Sequence, residues 1–358
     1  MLAIPQSERD ITASWLATVL ADTFGTTESD IQEVAFDRLG EADSVSGTVL
    51  RARLRYRDAG NIWPPNVIVK LPRTRETRSA VNNAMYSREV EFYRRLAPAI
   101  GMSIPHAYYS AIDADSGDYV LVLEDFPALR AGKNEDGASA SEARVLLTEM
   151  AALHARWWGS RELDAHTFLA TFEGALDRYE AAAERLPIFL ERHGDFVQPE
   201  ELAVWEALGR RFRPAVAPLL RSPRTLIHGD LSLKNTLAGG TAETPEFVIL
   251  DWQLAGVQPG ARDVSFFVGT RVAPEARTDA EAGLLRYYHS QLEAQGVRDY
   301  SFHALMDDYR RSVLVDLARM CAFGSQPNPT AAMNAVVRSS IRGRTGSAVE
   351  LRLGDLLA

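Results

Sequence analysis

One short stretch constrains this chain more than any other: His228-Gly229-Asp230-Leu231-Ser232-Leu233-Lys234-Asn235. It follows the apolar strand RTLI and places an Asp and an Asn five positions apart in a loop. Twenty-one positions after Asp230 comes Asp251, at the end of a second apolar strand, EFVIL. Phosphoryl transfer explains such a set. Its charge is stabilised by positioning and by metal ions, so the site needs oxygen ligands for Mg²⁺ and a carboxylate to receive a hydroxyl proton. Asp230 suits the base, and Asn235 and Asp251 suit the metal. Asp and Asn also favour turns for purely local reasons, which is the rival reading.

The rest of the sequence sets the frame for that loop. A chain of 358 residues fits about two lobes. With 46% hydrophobic and 24% charged residues, it has enough apolar surface for real cores. The formal net charge of −9 argues against a nucleic-acid groove or a polybasic membrane surface. Cys321 is the single cysteine, which excludes an intramolecular disulfide and a cysteine zinc cluster. The start MLAIPQSERD shows no secretory pattern, and no apolar run approaches membrane-spanning length, so a cytoplasmic protein is expected.

An amphipathic helix is expected from Glu8 to Leu20. In TVLRARLRY, Leu50, Ala52, Leu54 and Tyr56 alternate with Arg51, Arg53 and Arg55, the pattern of a half-buried strand. Asp58 to Asn61 supplies a turn, and NVIVKLP is the partner strand of a hairpin. A helix then runs from about Ser79 to Leu96, and YVLVL (Tyr119 to Leu123) is another strand. Beyond Pro127 the texture becomes helical. Ser139 and Glu142 have capping-box spacing, and Leu146, Met150, Leu153 and Trp157 share one face. Helices continue to about Arg221, the two short strands bracket the loop, and helices resume from about Glu275. The division is a β-rich lobe over 1–123, a hinge at 124–127 and a helical lobe over 128–358.

At the loop HGDLSLKN a resemblance becomes plain. Together with REVEFYRRLAP, VLVLEDF, ALHARWW, ILDWQLAGVQPGARDVSFF and LLRYYHSQLEAQGV, it resembles the aminoglycoside phosphotransferase and choline kinase superfamily, in its ecdysteroid-kinase-like branch. The resemblance runs from about Phe36 past Val297. It implies a bilobal protein-kinase-like α+β fold with ATP in the cleft between lobes. It implies an ATP- and Mg²⁺-dependent kinase acting on a small-molecule hydroxyl acceptor. It further implies Asp230 as catalytic base, and Asn235 and Asp251 as metal ligands. Lys70, paired with Glu89, would hold the α and β phosphates, and the backbone around Glu124 and Phe126 would bind adenine. Asp263 would brace the catalytic loop, with His228 mostly structural.

Two departures from the protein-kinase pattern stand out. The loop over the nucleotide, Gly40 to Gly47, lacks the usual glycine series, leaving backbone amides with Ser44 and Ser46 as its phosphate contacts. The metal triplet is Asp251-Trp252-Gln253, without the glycine that a flipping switch would need. Lys234 is open between a γ-phosphate contact and a solvated loop lysine, and His154 is expected as a packed structural residue. The acceptor pocket is expected from helices after Ser139 and after Glu275, with apolar or aromatic walls and few charges, on the aromatic texture near Trp157 and Tyr287-Tyr288. Trp157 and Trp158 could stack on a substrate, but core packing is the expected role. A nucleotide-binding pseudokinase or regulatory module is the alternative; intact Lys70, Asp230, Asn235 and Asp251 disfavour it. Between the glutamates of REVEFYRRL, Met85, Glu89, Phe92 and Leu96 share one helical face, so Glu89 is the inward carboxylate. Glu91 falls beside Arg88 and Arg95 on the solvated face.

Overall fold

The computed structural model describes the chain except residues 1, 40–46, 59, 61–62, 75–78, 135–136, 242–244, 273 and 345–346. The chain divides into two compact units, one of Met1–Arg130 with Val248–Leu254, the other of Ala131–Phe247 with Ala255–Ala358. The segment Val248–Leu254, counted with the second lobe in the sequence division, thus packs within the first.

In the first unit, α1 (Ala13–Phe24) precedes the strands β1 (Ile31–Leu39), β2 (Thr48–Tyr56) and β3 (Asn66–Leu71). The expected N-terminal helix starts later than Glu8. A single 3₁₀ turn covers Glu8–Asp10, and Thr12 then caps α1 by accepting the Trp15 N–H at 3.1 Å. Helix α2 (Ala80–Arg95) is followed by β4 (Ala107–Ile112) and β5 (Tyr119–Glu124). The five strands form one sheet in the order β1-β2-β3-β5-β4, antiparallel throughout. Alternation sets which residues face the core: Leu50, Ala52, Val67, Val69, Val120 and Val122 pack with Leu16 and Leu20 of α1. Lys70 stands between Val69 and Leu71, opposite Val49 on one side and Leu121 on the other. It therefore points to the other face of the sheet. Ser79 begins α2 with a reciprocal cap, accepting from the Asn82 N–H while Asn82 Oδ1 accepts from the Ser79 N–H. The helix buries Tyr86, Glu89, Val90, Phe92 and Tyr93; Tyr86, not Met85, fills the inner position one turn before Glu89 and Val90.

The second unit is mostly helical. After the short strand β6 (Arg130–Ala131) come α3 (Ala140–Arg156), β7 (Ala170–Thr171), α4 (Phe172–Ala183), α5 (Leu186–His193) and α6 (Leu202–Val216). The Ser139–Glu142 capping box opens α3 as its spacing predicts. The strands β8 (Arg224–Ile227), β9 (Thr236–Gly240), β10 (Pro245–Ile249) and β11 (Gly256–Pro259) surround the loop of interest. Helices α7 (Ala261–Arg271), α8 (Pro274–Ala294) and α9 (Phe302–Gly324) follow. Strand β11 lies between β7 and β8, pairing Gly256 with Ala170 and with Ile227. Among the described residues no helix is long and apolar enough to cross a membrane.

Candidate active site

In the first unit the site is built around a buried ion pair. Lys70 Nζ lies 2.6 Å from Glu89 Oε1 and 2.8 Å from Oε2. Glu89 is wholly buried and Lys70 nearly so. Burial alone would depress the lysine, but Glu89, aided by Asp251 and by the hydrogen bond from the pair, holds its pKa above the ordinary value. The ammonium form is therefore the resting form. Glu91 takes no part: it pairs with Arg94 at 3.2 Å and Arg95 at 2.5 Å. Arg88, expected beside Glu91, instead donates to the Gln253 carbonyl at 2.7 Å.

The segment after β10 completes this half. Asp251 has φ 63°, a left-handed conformation that costs a non-glycine residue energy and is kept where surroundings impose it. They do so here. Ile249 N–H is held by the Ser103 carbonyl at 3.0 Å, the Trp252 ring stacks on Phe92 at 4.1 Å and 8°, and Gln253 Nε2 donates to Glu89 Oε2 at 3.1 Å. The Asp251 carboxylate has no hydrogen bond among the described residues. At the expected hinge, the Glu124 N–H is taken by the His106 carbonyl at 2.8 Å, and the Phe126 carbonyl accepts from Leu129 at 3.0 Å. Asp125 between them is tied to Arg51, with Nη2 3.0 Å from Oδ1 and Nε 2.8 Å from Oδ2. Arg51 is thus not the solvated strand residue its alternation predicts. Ser44 and Ser46 lie outside the described residues.

In the second unit the loop 228–235 is held from within and from beneath. Asn235 Nδ2 donates to Asp230 Oδ2 and to the Asp230 carbonyl, both at 3.0 Å. The Asp230 N–H reaches His228 Nδ1 at 3.2 Å, which makes that nitrogen an acceptor. Asp263, in the first turn of α7, receives the N–H groups of His228 at 2.7 Å and Gly229 at 2.8 Å. Burial pushes the Asp263 carboxyl up, but the hydrogen bond and charge of His154, with His228 and the Gly229 N–H, outweigh it and hold the carboxyl below its usual range. His154 is wholly buried, 3.4 Å from Asp263 through Nε2 and 2.7 Å from the Tyr288 hydroxyl through Nδ1. Gly260 makes room for both, since a Cβ there would stand 2.8 Å from His154 Nδ1 and 2.9 Å from the Tyr288 oxygen.

Trp157 is a core residue, 4% exposed, as its packing reading expects; Tyr288, expected near the pocket, is also buried, at 0%. Tyr288 is committed to His154, and the Tyr287 hydroxyl lies 2.8 Å from that of Thr148. Two contributors escaped the sequence reading, Gln253 on Glu89 and Arg319 of α9, whose Nη2 lies 3.6 Å from Asp230 Oδ1. Gln253 stands two residues after Asp251, which was a usable signal; nothing near Arg319 in sequence points to the loop.

Asn235 and Asp251 fit a hard cation, each in its own unit. With its NH₂ spent on Asp230, Asn235 presents its amide oxygen, and Asp251 presents an uncommitted carboxylate. Among the described residues no three His, Cys, Asp or Glu side chains gather as a metal cage. Mg²⁺ is a hard cation of that kind, held by one or two protein oxygens together with substrate phosphates.

The ecdysteroid kinase-like family profile matches residues 41–298. The chain belongs to that family. Its membership places it among the small-molecule phosphotransferases of the kinase-like superfamily. No curated protein matches the sequence. Among solved structures, the ethanolamine kinase of Plasmodium vivax superposes with a TM-score of 0.57 at 10% identity, covering 95% of this chain and 89% of its own. A microcompartment-associated aminopropanol kinase gives 0.54 at 15% identity, over 95% and 98%. A macrolide 2'-phosphotransferase of Brachybacterium faecium gives 0.52 at 19% identity, over 91% and 96%. At such identities these likenesses concern the fold: α+β, bilobal and kinase-like.

Proposed function

We propose that this member of the family transfers the γ-phosphoryl group of ATP to a hydroxyl group of a small molecule, with Asp230 as the base. The observation that carries the reading is the held carboxylate of Asp230, with Asn235 on Oδ2 and on the backbone carbonyl of the same residue. A base must be aimed before its basicity matters. In the reaction, the acceptor oxygen bonds to the γ-phosphorus as the bond to the β–γ bridging oxygen breaks, and the hydroxyl proton passes to Asp230. Lys70, aimed by Glu89, binds the α and β phosphates. The Glu124 carbonyl and the Phe126 N–H are the adenine contacts. Asn235 and Asp251 would hold Mg²⁺, which supplies charge neutralisation on the phosphates when bound. His228 and Asp263 keep the loop in shape.

The test is Asp230→Asn. ADP release from MgATP against a panel of small hydroxyl compounds should fall about a hundredfold to ten-thousandfold, the usual contribution of a positioned base. MgATP affinity, measured by titration calorimetry, should stay nearly unchanged, because Asp230 meets the acceptor and not the nucleotide. A variant that keeps most of its turnover removes Asp230 from the role. A wild type that binds MgATP but turns over none of the panel points to a nucleotide-binding regulator instead.

A further inference from the structure

Asp230 is held at one oxygen by its own loop and faced at the other by a helix far along the chain. Asn235 Nδ2 and Lys234 Nζ, at 3.0 and 3.9 Å, address Oδ2. Arg319 addresses the remaining oxygen, with Nη2 3.6 Å from Oδ1, while its Nη1 donates to the Gly229 carbonyl at 3.1 Å. Gly229 has φ 83°, a left-handed conformation that glycine adopts freely. Arg319 thus touches both the carbonyl before the base and the base itself.

The arginine is itself fixed. Its guanidinium carbon lies 4.6 Å from the centre of the Phe266 ring of α7. One turn earlier on α9, buried Asp316 accepts from Arg262 at 2.8 Å, Ser265 at 2.8 Å and Arg344 at 2.7 Å. Arg262 lies one turn before Phe266 on α7 and Ser265 immediately precedes it, so the register of α9 against α7 is set beside Arg319. The charge of Arg319 is also felt at Tyr179 of α4. Burial pushes that phenol up, but Arg262 and Arg319 outweigh it and hold it below the ordinary value. Arg319 lies beyond residues 41–298, the span matched by the family profile.

We propose that Arg319 is a positioning residue for phosphoryl transfer, fixing the plane of the Asp230 carboxylate and the Gly229 peptide so that the base meets the acceptor hydroxyl. The proposal rests on the reading of Asp230 as the base. A flat, forked guanidinium can reach the Gly229 carbonyl and Asp230 Oδ1 at once while lying near Phe266, which an ammonium cannot do.

The experiment measures ADP release from MgATP, with water and with any hydroxyl compound that supports transfer, in wild type, Arg319→Ala, Arg319→Lys and each combined with Asp230→Asn. Arg319→Ala should lower kcat by about tenfold to a hundredfold, the scale of a small misplacement of a reacting group. KM for MgATP should hold within about twofold, since uniform binding is untouched. Methylguanidinium should restore part of the lost kcat in the alanine variant, and lysine should recover less than the wild type. In the Asp230→Asn background, Arg319→Ala should cost almost nothing further, because the two act as a unit. An undiminished kcat, or the same loss in both backgrounds, would overturn the proposal. Should the alanine variant fail to fold, the lysine variant and its double mutant decide by the same criteria. If Asp230→Asn leaves turnover intact while Arg319→Ala reduces it, the reading of Asp230 fails, and its failure is seen separately from any failure of Arg319.

Discussion

Glu89 has no access to water, and its two oxygens are fully spoken for by Lys70 and Gln253. Removing it would leave the Lys70 ammonium buried without its partner. Glu89→Ala should therefore cost about 3–5 kcal/mol of stability, the usual penalty for breaking a buried pair, and should weaken MgATP binding. Glu91→Ala should cost about 0–1 kcal/mol, because Arg94 and Arg95 meet it at the surface. Denaturant titration and MgATP calorimetry on the two variants check this, and a larger loss for Glu91 would reverse the assignment. Because the Lys70 pKa is raised, the lysine's contribution is complete below its ordinary value of 10.5 and fades as pH climbs through the folded value. The choice between the two glutamates was legible from helical geometry alone, since burial follows the face. The partnership with Gln253 was not, because 164 positions separate the two residues and no local pattern links them.

At the scale of elements, the segment from Asp251 to Gln253 is clamped by α2 along its length. Trp252 is fully buried against Phe92, Gln253 reaches Glu89, and Arg88 holds the Gln253 carbonyl. Trp252→Ala should cost about 3–5 kcal/mol through the cavity it leaves, read as a lowered denaturation midpoint. Trp252→Phe, which keeps a ring on Phe92, should lose much less; equal losses would show that stacking is not what the tryptophan supplies. The sequence already marked this triplet as lacking the glycine of a flipping switch, and the clamp is the physical counterpart. Other elements were harder to read. Strands β2, β3 and β5 announce themselves through alternation or unbroken apolar runs. β1 buries only Ile31 fully, as an edge strand does, and so lacks a periodic signal. β9 contains Gly239 and Gly240, and β11 begins with Gly256 and ends with Pro259, compositions that read as turns. They become strands because tertiary neighbours complete their hydrogen bonds, which local propensity does not register.

For the molecule as a whole, Asp263 links the loop around Asp230 to acid stability. Its carboxyl titrates below 3.8 in the fold and near 3.8 when unfolded, so its contribution is present above 3.8 and is lost as pH falls through the lower, folded value. Asp263→Asn should cost about 1–3 kcal/mol at neutral pH, because one of the N–H groups of His228 and Gly229 loses its acceptor. Its stability should then fall less steeply than the wild type's below pH 3.8. Denaturant midpoints followed from neutral to acid pH test both; parallel curves would sink the link. The two-part architecture was legible from the change of texture near Pro127. The return of Val248–Leu254 to the first unit was not, because a short run of strand and turn carries no mark of which core it joins. That return has an evolutionary consequence. The covalent chain crosses the boundary at three places, so no single genetic breakpoint can transplant the small unit. A gene fragment ending at Arg130 would encode Phe92 without Trp252 and Glu89 without Gln253. Recombination can therefore carry the first unit intact only together with residues 131–247 of the second.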